Sequence, residues 1–170
     1  MPKNSGELSV KDSIKIVKNF IKKRRHIRYD EIIPGVILFT QYTAKYKELV
    51  YDRTPLVLIL RRGNTHTLGL NFHWVPYKMR ITLIHAIMRV NKTNIKEQKP
   101  LKFEYKRIKA FLKKRGYAPC VRLYINKRFT LNGCIIPSTN LLEVAKLNTA
   151  TFTKGVPAET MYNLARQKKI

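Results

Sequence analysis

The sequence predicts an α+β fold in which amphipathic basic helices pack on a small, strongly curved antiparallel sheet. Three observations support this fold class. Short β-branched and aromatic runs alternate with stretches of helical periodicity, the turns between the first strands are short, and 44% of the 170 residues are hydrophobic, which suffices for a folded core. An SH3-like barrel is one form that such a sheet takes.

The first predicted element is an amphipathic helix over residues 9–25. Ser9 and Asp12 form a start that resembles a capping box, and apolar residues recur at helical spacing up to Ile21, while the other face is almost wholly lysine. A dense run of cations, residues 22–28, ends the helix, where its dipole favours positive charge. We therefore predict a basic N-terminal helix or arm over residues 1–30 and a single α+β core domain over residues 31–170.

Three strands follow the helix. A break at Pro34-Gly35 precedes a β-branched and aromatic run over residues 36–42. Residues 56–60 are apolar on both faces, which is typical of a central strand. The turn Gly63-Asn64 then leads to a return strand over residues 67–72, so these last two segments form a predicted β-hairpin.

Helices and a second hairpin are predicted in the remainder. Pro76 opens a helix that runs to Val90, a polar connection leads to Pro100, and residues 101–115 form a second basic helix.

Further along, residues 120–125 have the alternation of a half-exposed strand, and Asn132-Gly133 predicts a hairpin that pairs this strand with residues 134–136. Two short helices, ending near Leu147 and Lys168, complete the chain.

The net charge of the chain indicates which classes of partner the protein binds. Lys and Arg number 35 against 10 Asp and Glu, which gives a formal charge of +25. Such a chain needs a polyanionic partner; phosphate backbones are the commonest, and membrane surfaces come second. Because no apolar stretch is long enough to span a bilayer and the N-terminus does not resemble a signal peptide, we expect a soluble, intracellular protein. Cys120 and Cys134 lack the spacing of a metal site and are expected to be buried free thiols.

The sequence contains none of the common phosphate-binding, dinucleotide-binding, zinc-protease or serine-hydrolase motifs. We therefore predict no catalytic residue, no cofactor and no metal site. The best enzyme hypothesis is a Mg²⁺-dependent nuclease that uses Asp52, Glu104 and Lys106. However, Glu104 opens a predicted helix, where the dipole already explains an acid, and Asp52 resembles a turn former. Asn71 and His73 are interpreted as structural, bonding backbone where the sheet ends, although base or phosphate contact by this segment is the alternative.

A resemblance to a known family is carried by Pro34-Gly35-Val36-Ile37-Leu38-Phe39, Tyr42, Tyr51-Asp52, Pro55-Leu56-Val57-Leu58, Leu68-Gly69-Leu70-Asn71-Phe72-His73-Trp74-Val75-Pro76 and Arg80. This pattern resembles the tailed-bacteriophage proteins known as DNA end protectors or head-completion (neck) factors of T4-like phages, over about residues 34–90. The resemblance implies a bacteriophage virion structural or assembly protein at the portal-neck or capsid interior, found in the virion and, during assembly, in the host cytoplasm. It supplies no catalytic residues.

The leading hypothesis is therefore non-specific binding of packaged DNA, at or near a genome end, through a basic surface. Portal, neck or capsid subunits are the expected protein partners, a homo-oligomeric ring is one expected arrangement, and no membrane contact is expected. A ribosomal-type RNA-binding protein is the first alternative, the nuclease is the next, and charge that serves protein assembly is the last. The predicted DNA contacts are Lys22, Lys23, Arg24, Arg25, Arg28, Arg61, Arg62, Lys113, Lys114 and Arg115.

Overall fold

The computed structural model describes residues 6–43 and 52–167, so the predicted turn residue Tyr51 and the predicted helix end Lys168 lie outside the described residues. Within these ranges, helices pack against an antiparallel sheet, which confirms the α+β prediction. The helices are α1 (Val10–Lys22), α2 (Tyr77–Val90), α3 (Lys92–Lys96), α4 (Tyr105–Lys114), α5 (Leu141–Lys146) and α6 (Ala158–Arg166). The strands are β1 (Arg25–His26), β2 (Ile37–Tyr42), β3 (Leu56–Arg62), β4 (His66–Asn71), β5 (Val121–Ile125) and β6 (Phe129–Ile136).

The sheet has the strand order β1-β6-β2-β3-β4-β5 and is strongly curved. Strands β5 and β6 lie four places apart in this order, yet only the 3₁₀ turn Asn126–Arg128 separates them in the chain. A flat sheet would hold them roughly 19 Å apart, so the sheet must curl. Inside the curl, the rings of Tyr42, Tyr124 and Phe129 lie 5.1–5.3 Å from one another, centre to centre. In the described part of the chain β5 pairs with β4 and not with β6, so the curved sheet is not closed into a barrel.

Each face of the sheet carries its own apolar cluster. Because side chains alternate along β3, Leu56 and Leu58 face the helices, whereas Val57 and Ile59 face the inside of the curl. All four are buried. The prediction that this segment is a central strand is confirmed, since β3 lies between β2 and β4.

The hairpin predicted at Asn132-Gly133 is wrong. Strand β5 pairs with β4, whereas β6 pairs with β2 and β1. Asn132 and Gly133 lie inside β6, opposite His26 and Arg25. A Cβ atom on Gly133 would lie 2.8 Å from the Cβ of Thr40, so this glycine permits a close approach to the neighbouring strand rather than a turn.

Both basic helices are shorter than predicted. α1 begins at Val10 behind its predicted serine cap, but it ends at Lys22 because the next residues turn into edge strand β1. α4 begins at Tyr105, because its N-cap Glu104 has an extended backbone (φ −79°, ψ 124°); the backbone N–H of Leu101 donates to the carbonyl of Gly35 at 3.0 Å. The short helix α3 forms inside the segment that was predicted to be a polar connection.

The N-terminal helix packs on the rest of the molecule. Val17 and Phe20 belong to the helix-side apolar cluster, and the Ser13 hydroxyl accepts a hydrogen bond from the backbone N–H of Asn148 at 2.8 Å. The division of the chain into an arm and a core at residue 30 stays a prediction.

Candidate nucleic-acid interface

The N-terminal cations, predicted as one cluster, are divided between a helix end and a sheet edge. Lys22 and Lys23 end α1 and are exposed. The Arg24 guanidinium lies over the Phe39 ring, 5.5 Å from its centre, and is only partly exposed. Arg25 lies on β1. The two lysines therefore project into solvent, whereas Arg24 partly covers the core.

Two of the predicted arginines have acidic partners. Arg25 donates to both carboxylate oxygens of Glu31, in one case at 2.9 Å, and the Nε of Arg28 lies 3.2 Å from a carboxylate oxygen of Asp30. The hydrogen bond from Arg25 lowers the pKa of Glu31 to about 2. The carboxylate therefore stays charged at neutral pH, and Arg25 and Arg28 offer less uncompensated charge to a ligand than the two lysines do.

Arg61 and Arg62 end β3 just before the hairpin turn. Because successive strand residues point to opposite faces, they lie on different sides of the tip. The Arg61 guanidinium lies 5.6 Å from the ring centre of Tyr105 at the start of α4, and that of Arg62 lies 5.9 Å from the ring centre of Tyr29. Tyr29 follows Arg28 in the chain, so the structure brings Arg62 next to the N-terminal cations.

A buried asparagine holds the hairpin tip in place. Asn126 Oδ1 accepts a hydrogen bond from the Thr67 hydroxyl at 2.7 Å, and its Nδ2 donates to the carbonyls of Gly63 and Asn64 at 2.9 and 3.1 Å. The Tyr29 hydroxyl donates to the Asn126 carbonyl at 3.4 Å. Sequence reasoning missed this residue because its partners lie about sixty positions away, where no local pattern marks them.

The third predicted group lies at the C-terminal end of α4. Lys113, Lys114 and Arg115 are exposed, and Arg115 lines a groove of about 620 Å³ together with Arg89 and Lys92. Arg89 and Lys92 were not selected from the sequence because each stands singly, and only the packing of α2 and α3 beside α4 gathers them. The structure therefore enlarges this group by two cations.

The end of α4 lies farther from the hairpin tip than the N-terminal cations do, with exposed Lys106 and Lys109 between them along the helix. An α-helix rises about 1.5 Å per residue, so the basic end of α4 lies roughly 12 Å along its axis from Tyr105, over which Arg61 sits. By contrast, Arg62 contacts Tyr29 directly beside Arg28. The structure thus brings the hairpin tip and the N-terminal cations together and sets the end of α4 apart.

A buried polar centre lies where the sheet ends. The Nδ1 of His73 lies 2.6 Å from Asp52 Oδ2, and Asn71 Nδ2 donates to the same oxygen at 3.2 Å. Asn71 Oδ1 accepts from the backbone N–H of His73 at 3.0 Å, and Asp52 Oδ1 accepts from that of Thr54 at the same distance. The structural interpretation is confirmed for Asn71 and Asp52, whose side chains accept from backbone N–H groups. The buried His73 side chain contacts Asp52 rather than the backbone, which was not predicted.

The geometry does not favour catalysis by this centre. The side chains of His73 and Asp52 are 0% and 2% exposed, and the imidazole stacks on the Phe152 ring at 4.2 Å, so a substrate cannot reach them. Glu104, the other carboxylate of the nuclease hypothesis, pairs with Arg107 at 2.9 Å. In residues 6–43 and 52–167, no group of three or more His, Cys, Asp or Glu side chains is placed to hold a metal ion.

Both cysteines are buried free thiols, as predicted. Burial raises the pKa of Cys120 to about 12 and also raises the pKa of Cys134. Neither thiol is therefore activated as a nucleophile.

Arg80 is a fully buried cation that joins two parts of the molecule. Its guanidinium donates to the carbonyls of Ala145 at 2.9 Å, Val75 at 3.3 Å and Leu147, and it lies 3.6 Å from a carboxylate oxygen of Glu7. Burial lowers the pKa of Arg80 to about 10, so the side chain stays charged at neutral pH. Arg80 thus ties the segment that follows β4 to the end of α5.

The segment from Leu68 to Pro76 and Arg80, on which the phage resemblance depends, therefore forms an internal framework rather than an exposed site. Residues 2–156 match the sequence model of a protein family that is described as phage T4 terminal DNA protecting protein. The chain belongs to this family. The match confirms the resemblance and extends it well beyond residues 34–90, over α1 and most of the second half.

Membership of the DNA-protecting family indicates a phage protein that associates with DNA, in the virion or in the infected host. Protection of DNA by binding requires no catalytic step. No curated protein and no solved structure gives a significant match to the chain. None of the helices described here combines the length and the apolar character that crossing a bilayer demands.

Proposed function

We propose that the chain covers a terminus of packaged phage DNA by non-specific contacts between its basic surface and the phosphate backbone. In this proposal it also packs against portal, neck or capsid subunits, either at the portal vertex or inside the capsid. The excess of cations on a folded α+β domain, together with the family match, is the observation that carries the proposal.

The charge balance supports a polyanionic ligand. With each of the 10 acids offset by one of the 35 cations, 25 positive charges remain uncompensated. Two of the acids form ion pairs within the protein: Glu31 pairs with Arg25, and Asp30 pairs with Arg28. Duplex DNA carries about one negative charge per 1.7 Å of its axis, which matches such a dense array of cations.

The geometry supports backbone contact rather than base reading. The braced hairpin tip and the two helix ends present cations on projecting parts of the surface, and phosphate contacts fix position without selecting a sequence. The Arg62 guanidinium is oriented by its cation–π contact with the Tyr29 ring at 5.9 Å, and exposed Lys127 adds a cation beside the tip. The full proposed set remains Lys22, Lys23, Arg24, Arg25, Arg28, Arg61, Arg62, Lys113, Lys114 and Arg115.

Binding to labelled duplex DNA, followed by fluorescence anisotropy over a range of salt concentrations, tests the proposal. We expect the logarithm of the affinity to fall linearly with that of the salt concentration, with a slope of about 0.9 per phosphate neutralised, and no dependence on sequence. Open-ended duplexes and closed minicircles of equal length separate binding at a terminus from binding along the duplex. Affinity that does not change with salt would contradict phosphate contact.

Matched variants locate the contact surface. Lys22→Ala should weaken binding and reduce the salt slope by about 1, whereas Lys99→Ala, which also removes one charge but from a lysine paired with Glu97 at 2.7 Å, should have little effect. Arg62→Ala should weaken binding more than Arg107→Ala does. Equal effects of the test and control variants would show that only total charge matters.

The alternative functions are outcomes of further assays. Preference for structured RNA over duplex DNA by orders of magnitude would favour a ribosomal-type protein. Mg²⁺-dependent cleavage that Glu104→Gln abolishes and Glu159→Gln preserves would establish the nuclease. Mass spectrometry of purified, nuclease-treated virions tests the virion location, and crosslinking within them would identify the neighbouring subunits.

A further inference from the structure

α1 carries an apolar stripe that the core covers only at Val17. Val10, Ile14 and Ile21 are 49%, 38% and 42% exposed, and Val17 continues the row at the margin of the core with 9% exposed. Steps of four, three and four residues separate these side chains along the helix. This is the spacing of the a and d positions in a coiled coil, so the four residues lie in one line.

Lysines border one side of this stripe. Each residue of the stripe is followed directly in the chain by a lysine, which lies about 100° further around the helix axis. These lysines are Lys11, Lys15, Lys18 and Lys22. In heptad terms Lys11 and Lys18 occupy e positions, which face the partner's flank in a coiled coil. The stripe and its lysine border therefore form one combined apolar and cationic surface.

The opposite border of the stripe is closed by the molecule itself. Ser13 and Phe20 are buried there, against the backbone of Asn148 and the ring of Phe39. A partner can therefore approach the stripe only from the lysine side. This asymmetry sets the charge that the partner must carry.

We propose that α1 binds an acidic amphipathic helix of a partner protein, whose apolar side chains pack on the stripe and whose carboxylates face Lys11 and Lys18. A second α1 does not fit as occupant: the g side, Ser13 and Phe20, is closed by the molecule itself, so two copies could meet only antiparallel along their e sides, where lysine would face lysine. A phosphate backbone would satisfy the lysines but would leave the β-branched side chains of Ile14 and Ile21 in water. The inference deepens the protein-packing part of the proposed function and does not depend on the DNA contact.

A designed three-heptad peptide with Leu at a and d and Glu at e and g serves as the probe. Fluorescence anisotropy is measured for this peptide, for a scrambled peptide of the same composition, and for a heptad peptide with Lys in place of Glu. We expect the Glu heptad to bind roughly tenfold more tightly than the scrambled peptide, because only the heptad buries the stripe. The Lys heptad should not bind.

Two variants isolate the two parts of the surface. Ile14→Ser combined with Ile21→Ser removes the stripe at similar helix propensity and should weaken binding of the Glu heptad about tenfold. Lys11→Glu combined with Lys18→Glu should reverse the preference towards the Lys heptad. Both pairs are on the surface, and circular dichroism checks that the fold is retained.

Three results would overturn the inference: equal binding of the heptad and scrambled peptides, unchanged affinity of the Ile14→Ser, Ile21→Ser variant, or continued preference of the lysine-reversed variant for the Glu heptad. DNA affinity is measured on the serine variant as well and should remain within about twofold of wild type, since its phosphate-facing cations are intact. A parallel loss of DNA affinity would assign the stripe to the DNA surface and refute the docking site. Failure of wild-type protein to bind DNA, with the heptad still bound, would refute the DNA contact alone.

Discussion

Replacement of Arg80 by methionine tests whether the buried guanidinium holds the family's signature segment in place. Methionine keeps a long, flexible side chain in the cavity but removes the charge and every donor. The carbonyls of Ala145, Val75 and Leu147 would then lose the hydrogen bonds that they accept in the native protein. Because these acceptors are buried, water cannot easily replace the missing donors.

The magnitude follows from the number and quality of these contacts. Hydrogen bonds from a charged donor contribute about 1.5–3 kcal/mol each, and the bonds to Ala145 and Leu147 are the two shortest. Their loss predicts about 3–6 kcal/mol, from which the removal of a costly buried charge subtracts part. We expect a net decrease of about 3 kcal/mol in the free energy of unfolding. For a domain of this size, that corresponds to a melting temperature lower by roughly 6–12 °C.

Urea denaturation followed by tryptophan fluorescence measures this change. Arg107→Met is the matched control, since the Arg107 side chain is 87% exposed and pairs only across the surface with Glu104. It should change stability by less than about 1 kcal/mol. A loss below about 1 kcal/mol for Arg80→Met, or one equal to that of the control, would show that the guanidinium does not fasten this framework.

Three further predictions concern single groups. The pKa of Glu31 is about 2 in the folded protein against an ordinary 4.5, so between these pH values the unfolded state binds more protons. The ion pair of Glu31 with Arg25 therefore stabilises the fold above pH 4.5, and this stabilisation is lost as the pH falls through 2. Urea titrations of wild type and Glu31→Gln should therefore converge towards pH 2, and a constant difference would contradict this. Cys120 and Cys134 should resist a thiol-specific chromogenic reagent in the native protein and react after denaturation; rapid native labelling would disprove their burial. Gly35→Ala should lower the free energy of unfolding by at least about 3 kcal/mol, because φ is +91° and the new Cβ would lie 1.9 Å from the backbone oxygen of Leu101. The control Gly155→Ala has a similar φ of +84° but open space around the new Cβ, so it should cost only about 1 kcal/mol. Equal losses of stability in thermal melts would refute the steric argument.

The local parts of the fold could be predicted from the sequence because short-range patterns determine them. The apolar run of β3 and the turn after Arg62 specify a hairpin by themselves. Asn132-Gly133 failed as a turn signal because a glycine can serve either a turn or a close approach between strands. Only the position of Thr40 on the neighbouring strand decides between these two uses.

The candidate site could be predicted in composition but not in arrangement. The sequence identifies the cations, yet it does not show that Glu31 pairs with Arg25 or that Arg62 lies over the Tyr29 ring. The asparagine that braces the hairpin tip, Asn126, is likewise invisible to local patterns. Such contacts join residues that only the folded sheet brings together.

The connection between β4 and β5 has a consequence for biosynthesis. Strands β2, β3 and β4 are made early, but both free edges of this meander are covered by residues 121–136, since β5 pairs with β4 and β6 pairs with β2. Until those residues leave the ribosome, the nascent chain presents unpaired backbone groups on two strand edges, which are templates for aggregation. A nonsense mutation before Val121 should therefore yield an insoluble fragment, and the slow, non-local pairing of the last two strands should limit how quickly soluble protein accumulates.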